Sequence, residues 1–178
     1  SFKSKCAIIP IGDIMNKEQI KENVLTTLKK LNVDCKLANH EPILNFEIAA
    51  KVDEELGWTG KETKSLFVKG KSGKFYIYIT TEDQKLDSKK IKNLIGEKVN
   101  IVNSEEMTEI IGCIPGSVAA FGYDNNIVDT VILDKIVLDY EAFICSVGVP
   151  DMSAEIKTKD LEKILNYSYP NVLYLEKE

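Results

Sequence analysis

Two stretches of this 178-residue chain hold residue types that could do chemistry. The first is Gly112-Cys113-Ile114-Pro115-Gly116-Ser117-Val118-Ala119-Ala120-Phe121-Gly122. Its side chains offer little reactivity, since a lone serine without a partner histidine is a poor nucleophile. Glycine permits main-chain conformations that a Cβ forbids and lets a ligand approach the backbone. Pro115-Gly116 is a turn dipeptide. If this loop works, it works through its amides; composition alone favours an ordinary tight connection. The second stretch is Thr63-Lys64-Ser65-Leu66-Phe67-Val68, a lysine at the head of an apolar, strand-like run. Most lysines in such a place are solvated strand ends.

Taken together, a backbone-built loop and a lysine suit ester hydrolysis. Preorganised amides can hold a carbonyl and the oxyanion it becomes. A lysine is a compact cation able to anchor a phosphate or ribose. An activated ester then needs little more than a well-placed water.

Other candidates are weaker. His40, the single histidine, sits in the turn Asn39-His40-Glu41-Pro42. It reads as a site wall or, more simply, as a turn histidine bonded to backbone. Cys113 lies beside the loop with nothing nearby to activate it, so it reads as a space filler. A Ser-His-Asp triad would need His40 next to Ser117, which the sequence leaves open. Phosphate-binding and dinucleotide glycine motifs, the H-E-x-x-H zinc motif and the G-x-S-x-G elbow are all missing. Cys6, Cys35, Cys113 and Cys145 show no C-x-x-C spacing, so reduced thiols in a cytoplasmic protein and no metal site are expected.

Composition sets bounds. Apolar residues make up 44% and charged residues 29%, a globular balance with no apolar run long enough to span a bilayer. The net charge of −5 argues against non-specific coating of nucleic acid. All 23 basic residues are lysines, so any phosphate contact must use lysine or backbone amides.

The elements that must position these stretches follow from periodicity. A capping box at Asn16 and Gln19 starts a helix over 17–31, with Ile20, Val24, Leu25, Leu28 and Leu31 on one face. A strand is expected at 33–37. Asn45 caps a helix over 46–56, with Phe46, Ala49, Ala50, Val52 and Leu56 as its candidate buried side, and Gly57 ends it. Strands at 64–68 and 75–80 form a hairpin whose tip carries three lysines that could meet phosphate. Asp87 or Ser88 caps a third helix that runs to about Ile95, and a strand spans 98–102. Ser104 is read as the cap of a helix over 105–111. Strands follow at 128–133 and 142–147, then a loop at 148–155, a helix over 159–166 capped by Thr158, and a terminal strand at 172–175. A short strand at 6–10 completes the reading. Helices interleaved with hairpins predict one α/β domain of α+β character, with a mixed, partly antiparallel sheet surrounded by helices.

Lys-Ser-Leu-Phe-Val, followed downstream by Pro-Gly-Ser-Val-Ala-Ala-Phe-Gly, resembles the YbaK and prolyl-tRNA synthetase editing-domain superfamily, over roughly residues 17–167. Residues 1–16 are then a leader and 17–178 the editing domain. The resemblance implies hydrolysis of a mischarged tRNA, most of all Ala-tRNA(Pro), by a free-standing protein or a domain appended to prolyl-tRNA synthetase. The alternatives are Cys-tRNA(Pro) deacylation, or a silent module that binds tRNA or synthetase. It implies a catalytic set of Lys64, Gly116, Ser117 and Val118. It implies a substrate-binding set of His40, Pro42, Asn45, Phe46, Ala119, Ala120, Phe121, Gly122, Ser146, Gly148 and Ser153. No metal, cofactor or covalent intermediate is implied. The chain departs from the family in two places: Ala120 stands where a loop proline is usual, loosening a rigid corner, and Val149 precedes Pro150 where some alanine-specific members carry histidine.

Overall fold

The computed structural model describes residues 14–177; the expected strand at 6–10 and most of the expected leader lie outside them. Helix α1 (Lys17–Lys30) starts at the capping box read from sequence. The Gln19 amide donates to Asn16 Oδ1 at 2.9 Å and the Asn16 amide to Gln19 Oε1 at 3.0 Å. Ile20, Val24 and Leu28 are buried along one stripe.

Strand β1 (Cys35–Asn39) lies two residues later than expected. Helix α2 (Phe46–Leu56) has the expected bounds and the expected Asn45 cap. Its buried side is narrower than expected. Ala49 and Val52 are buried, but Phe46, Ala50 and Leu56 are exposed, because α2 lies over an open cleft rather than a closed core.

Strands β2 (Lys61–Gly70) and β3 (Phe75–Thr81) form the expected hairpin. Two of the three lysines of its tip are taken up by carboxylates: Lys69 pairs with Glu106 at 2.9 Å and Lys74 with Asp129 at 3.2 Å. Helix α3 (Ser88–Ile95), strand β4 (Val99–Ile101) and helix α4 (Ser104–Ile111) follow. The α4 cap is Asn103, not Ser104; its Oδ1 accepts the Glu106 amide at 2.8 Å.

After the glycine loop come β5 (Thr130–Asp134), β6 (Ala142–Ser146), β7 (Met152–Lys157), α5 (Leu161–Ser168) and β8 (Asn171–Leu175). Strand β7 corrects the loop expected at 148–155. Its small and polar residues hide a strand that is paired on both sides, by β1 and β6. Thr158 does not cap the last helix. It opens a 3-10 turn, and its buried hydroxyl has no partner among the described residues.

The sheet is mixed, as expected, in the order β1-β7-β6-β2-β3-β5-β8, with β4 added to the end of β2. Its main core face packs under α1, α4, α5 and the glycine loop. A smaller cluster of Val68, Tyr76, Tyr78, Ile91, Val99, Ile132 and Leu175 fills the opposite face beneath α3.

Two tyrosines tie the glycine loop to this core. Tyr123 donates its hydroxyl to the Ala119 carbonyl at 2.6 Å, and Tyr169 donates to the Ala120 carbonyl at 2.7 Å. The corner at Ala120, expected to be loose without proline, is therefore held by side chains. Leaving a buried carbonyl unpaired costs about 1–3 kcal/mol. Tyr169→Phe is accordingly expected to lower unfolding free energy by about that amount in urea titrations; a loss under about 0.5 kcal/mol would count against the anchor.

Candidate functional site

A cleft of about 360 Å³ opens on the α2 side of the sheet. Its origin is a lapse in strand pairing. Strands β2 and β6 run parallel only at Lys61↔Phe143 and Glu62↔Ile144. Thr63 then donates its hydroxyl to the Ile144 carbonyl at 2.8 Å, and the strands part. Strand β2 regains a neighbour on that edge only at Val68, where β4 joins. Thr63, Lys64, Ser65 and Leu66 line the gap from one side, Cys145 and Ser146 from the other.

The roof is the start of α2 and the loop before it, with Ile43, Leu44, Asn45, Phe46 and Ala49. That loop is fastened by amides: His40 donates to the Asp151 carbonyl at 2.9 Å and Ile43 to the Pro150 carbonyl at 2.8 Å. Leu44 and Phe46 are the exposed lip.

The glycine loop closes the third side through Gly116 and Val118. Residues 114–117 form a tight turn in which the Ser117 amide donates to the Ile114 carbonyl at 3.1 Å. Gly116 sits at its third position with φ +88°, the left-handed conformation that a proline-glycine turn requires. A Cβ there would meet nothing within 4 Å, so the glycine faces open space. Among the described residues the Gly116 and Val118 amides have no hydrogen-bond partner. Ser146 joins this loop to the next: its hydroxyl lies 2.9 Å from the Ser117 carbonyl and accepts the Gly148 amide at 3.0 Å.

The expected site residues sort into three groups. Lys64, Gly116, Val118, Asn45, Phe46, Ser146 and Ser153 come together around the cleft. His40 stands behind it. Its Nδ1 donates to the Glu41 carbonyl at 2.6 Å, which leaves Nε2, 2.8 Å from Ser153 Oγ, to accept that hydroxyl. His40 is thus bonded to backbone, as a turn histidine would be, and does not itself line the cleft.

The remaining expectations need correction. Ser117 is buried, and both its amide and its hydroxyl are spent on the Ile114 carbonyl, so it is a turn former and no triad exists around it. Pro42 is exposed and does not line the cleft. Ala119, Ala120 and Phe121 are core residues. Gly122 and Gly148 face α1, where a Cβ on either would come within 2.9 Å of Val24 or Ile20. These residues support the loop without touching the cleft.

Sequence reasoning missed Ile43, Leu44, Glu62, Thr63, Ser65, Leu66, Cys145, Val149 and Pro150 on the cleft wall. The β2 residues were within reach, because they flank Lys64 in the very stretch that drew notice. The divergence of β2 from β6 left no trace in hydrophobic pattern.

The electrostatics hold one unusual feature. Burial, and after it the Asp53 carboxyl of α2, pushes the Glu62 carboxyl up to about 9. Asp53 is raised as well, chiefly by burial, against the lowering effect of the Glu62 hydrogen bond. The thiols of Cys113 and Cys145 are pushed up to about 12 by burial, which keeps them protonated and inert. The Lys64 side chain makes no ion pair or hydrogen bond among the described residues. Those residues contain no cluster suited to a metal ion.

Comparison with known proteins agrees with this architecture. The chain matches a crystal structure of a hypothetical protein with a TM-score of 0.70 at 19% identity, covering 85% of this chain and 97% of that one. It matches a candidate trans-editing enzyme for prolyl tRNA synthetase with a TM-score of 0.68 at 21% identity, covering 89% and 98%. The fold is that of these α/β structures. A family profile for the aminoacyl-tRNA editing domain matches residues 45–164, the span that holds the cleft apart from Ile43 and Leu44, and the chain belongs to that family. A curated relative, the prolyl-tRNA editing protein ProX of Acetoanaerobium sticklandii, is 25% identical over 150 residues, which cover 82% of this chain and 90% of the relative.

The carboxyl pair makes a stability prediction. Folding raises Glu62 from 4.5 to about 9, so the folded protein keeps a proton that the unfolded chain releases. That contribution is complete below the unfolded value and is lost as pH climbs through the folded one. Wild type should lose stability between about pH 5 and about pH 9, and Glu62→Gln should flatten the slope in denaturant titrations. An unchanged slope would show that the pair does not share a proton.

Proposed function

We propose that this protein is a cytoplasmic deacylase that removes alanine from mischarged tRNA(Pro), taking the acceptor end of the tRNA into the cleft. The observation that carries the reading is the meeting of Lys64 with the unpartnered Gly116 and Val118 amides on one small cleft with mainly apolar walls. The terminal adenosine lies toward Lys64, whose ammonium holds its phosphate or ribose. The ester carbonyl is received by the two amides, which stay aimed at the oxyanion as it forms.

Water is the nucleophile. It attacks the acyl carbon, the bond from that carbon to the ribose oxygen breaks, and the proton of water passes to the departing ribose oxygen. The products are free amino acid and uncharged tRNA. The side chains support direct attack: the Ser117 hydroxyl is committed to a carbonyl, and the cleft thiol of Cys145 stays protonated. The apolar lining of Val118, Val149 and Ile43 suits a short aliphatic side chain. A prolyl-tRNA synthetase, which generates such errors, is the natural partner under this reading.

The test is deacylation of Ala-, Cys- and Pro-tRNA(Pro) by wild type, Lys64→Ala and Gly116→Val. Wild type should hydrolyse the alanyl ester and spare the prolyl ester. Lys64→Ala should reduce kcat/KM by about 100-fold or more, the usual cost of a lost positioning or oxyanion contact. Gly116→Val should be comparably impaired, since its side chain would project into the space the ester occupies. Preference for the cysteinyl ester would keep the chemistry and change the substrate. Tight tRNA binding with no ester consumed would replace the enzyme by a binding module.

A further inference from the structure

Two loops meet at the cleft, the glycine loop and residues 147–151, and one side chain ties them together. Ser146, the last residue of β6, lines the cleft where they join. Its Oγ lies 2.9 Å from the Ser117 carbonyl, 3.3 Å from the Val149 carbonyl and 3.0 Å from the Gly148 amide. A serine hydroxyl has a single proton to give. The Ser117 carbonyl is the nearer acceptor, and the Gly148 amide donates to the same hydroxyl oxygen. The Cys113 thiol adds a weaker tie at 3.5 Å from the Gly148 carbonyl. Residues 147–151 are fastened in turn to the roof of the cleft, since the Ile43 and His40 amides donate to the Pro150 and Asp151 carbonyls.

The Ser117 carbonyl belongs to the same peptide group as the Val118 amide. That group is planar, and no cis peptide occurs among the described residues, so its C=O and N–H point in opposite directions. Whatever holds the oxygen therefore sets the aim of the N–H. The anchors on either side act on other peptides: the Ser117 amide donates to the Ile114 carbonyl, and the Tyr123 hydroxyl donates to the Ala119 carbonyl. Among the described residues, Ser146 is the hydrogen-bond partner of the 117–118 peptide, and no other group bonds to it. A donor on the oxygen also polarises the peptide, which strengthens the N–H on its far side as a donor.

We propose that Ser146 is a positioning residue whose hydroxyl, by holding the Ser117 carbonyl, aims the Val118 amide at the oxyanion formed in the cleft. This rests on the deacylase reading above. With its proton committed to the Ser117 carbonyl, Ser146 neither attacks the ester nor protonates the departing ribose oxygen; it acts through the main chain. Its effect falls on the transition state, because the ester oxygen gains its charge only as water adds. Ground-state binding of the acceptor end draws on Lys64 and the apolar walls and does not depend on Ser146.

The experiment compares wild type with Ser146→Ala, which removes the hydroxyl, Ser146→Cys, which puts a weak donor in its place, and Ser146→Thr, which keeps it. Deacylation of Ala-tRNA(Pro) is measured beside the binding of two probes. One is 3′-alanylamido-3′-deoxyadenosine, whose planar amide imitates the ground state. The other is adenosine 3′-(1-aminoethyl)phosphonate, whose tetrahedral anion imitates the intermediate. Ser146→Ala should lower kcat by about 10- to 100-fold, the scale of a misaimed oxyanion donor, with KM changed by less than about threefold. It should lose phosphonate affinity by a similar factor and keep its amide affinity. Ser146→Cys should follow Ser146→Ala, and Ser146→Thr should restore the wild-type values. Heteronuclear NMR of the ligand-free protein reads the contact itself: the Ser117 carbonyl and Val118 amide resonances should move together in Ser146→Ala and return in Ser146→Thr. Equal loss of both probes, a change in KM in place of kcat, or unmoved Ser117 and Val118 resonances in the folded variants overturns the proposal. A phosphonate preference that is lost in Ser146→Ala, in a protein that hydrolyses no aminoacyl ester, keeps the positioning role and removes the deacylase reading; turnover by Ser146→Ala equal to wild type does the reverse.

Discussion

The parting of β2 from β6 after Glu62 and Ile144 is the constraint on which the rest of the site depends. A parallel pair that ran on would close the sheet and leave no cleft. Instead β2 gives its early edge to β6 and its late edge to β4, and the residues between have no strand beside them on that side. Buried backbone groups demand partners, and here several needs are met by side chains. Thr63 satisfies the last Ile144 carbonyl, and the Ser146 hydroxyl spans from the Ser117 carbonyl to the Gly148 amide. The opening is wide enough for a ligand and still rests on a satisfied frame.

That frame separates residues that touch the cleft from residues that aim others at it. Gly116 and Val118 face the cleft, while their neighbours through Gly122 are buried supports. Tyr123 and Tyr169 fix consecutive carbonyls of the loop, and Gly122 and Gly148 let α1 approach closely behind it. The loop's amides are therefore preorganised by contacts on its far side. Preorganisation of this kind is what gives a backbone site its strength, since no rearrangement is needed as charge develops.

Much of this was legible in the sequence. Asn16, Asn45 and Asp87 announce their helices because a side-chain cap is a local interaction. The β2–β3 hairpin shows because its turn and its apolar runs are adjacent. Lys64 and Gly116 stood out, although they lie on different elements. Illegible parts depended on distant partners. Met152 to Glu155 looked like loop because their strand character comes from β1 and β6 on either side. Phe46 looked buried because periodicity cannot show that the space beneath a helix is empty. Asp53 and Glu62 drew no notice in the sequence, and only the fold sets one beside the other.

The main-chain site proposed above has a consequence for chemical biology. Reagents that tag hydrolases by capturing an activated serine or cysteine find no such group here: the loop serine is hydrogen-bonded to a carbonyl, and the nearby thiols are buried and protonated. Under the deacylase reading, fluorophosphonates and haloacetamides would find no activated nucleophile in the cleft. A useful ligand would have to imitate the tetrahedral intermediate in shape and charge, and its selectivity would come from how well it fits the splayed strands.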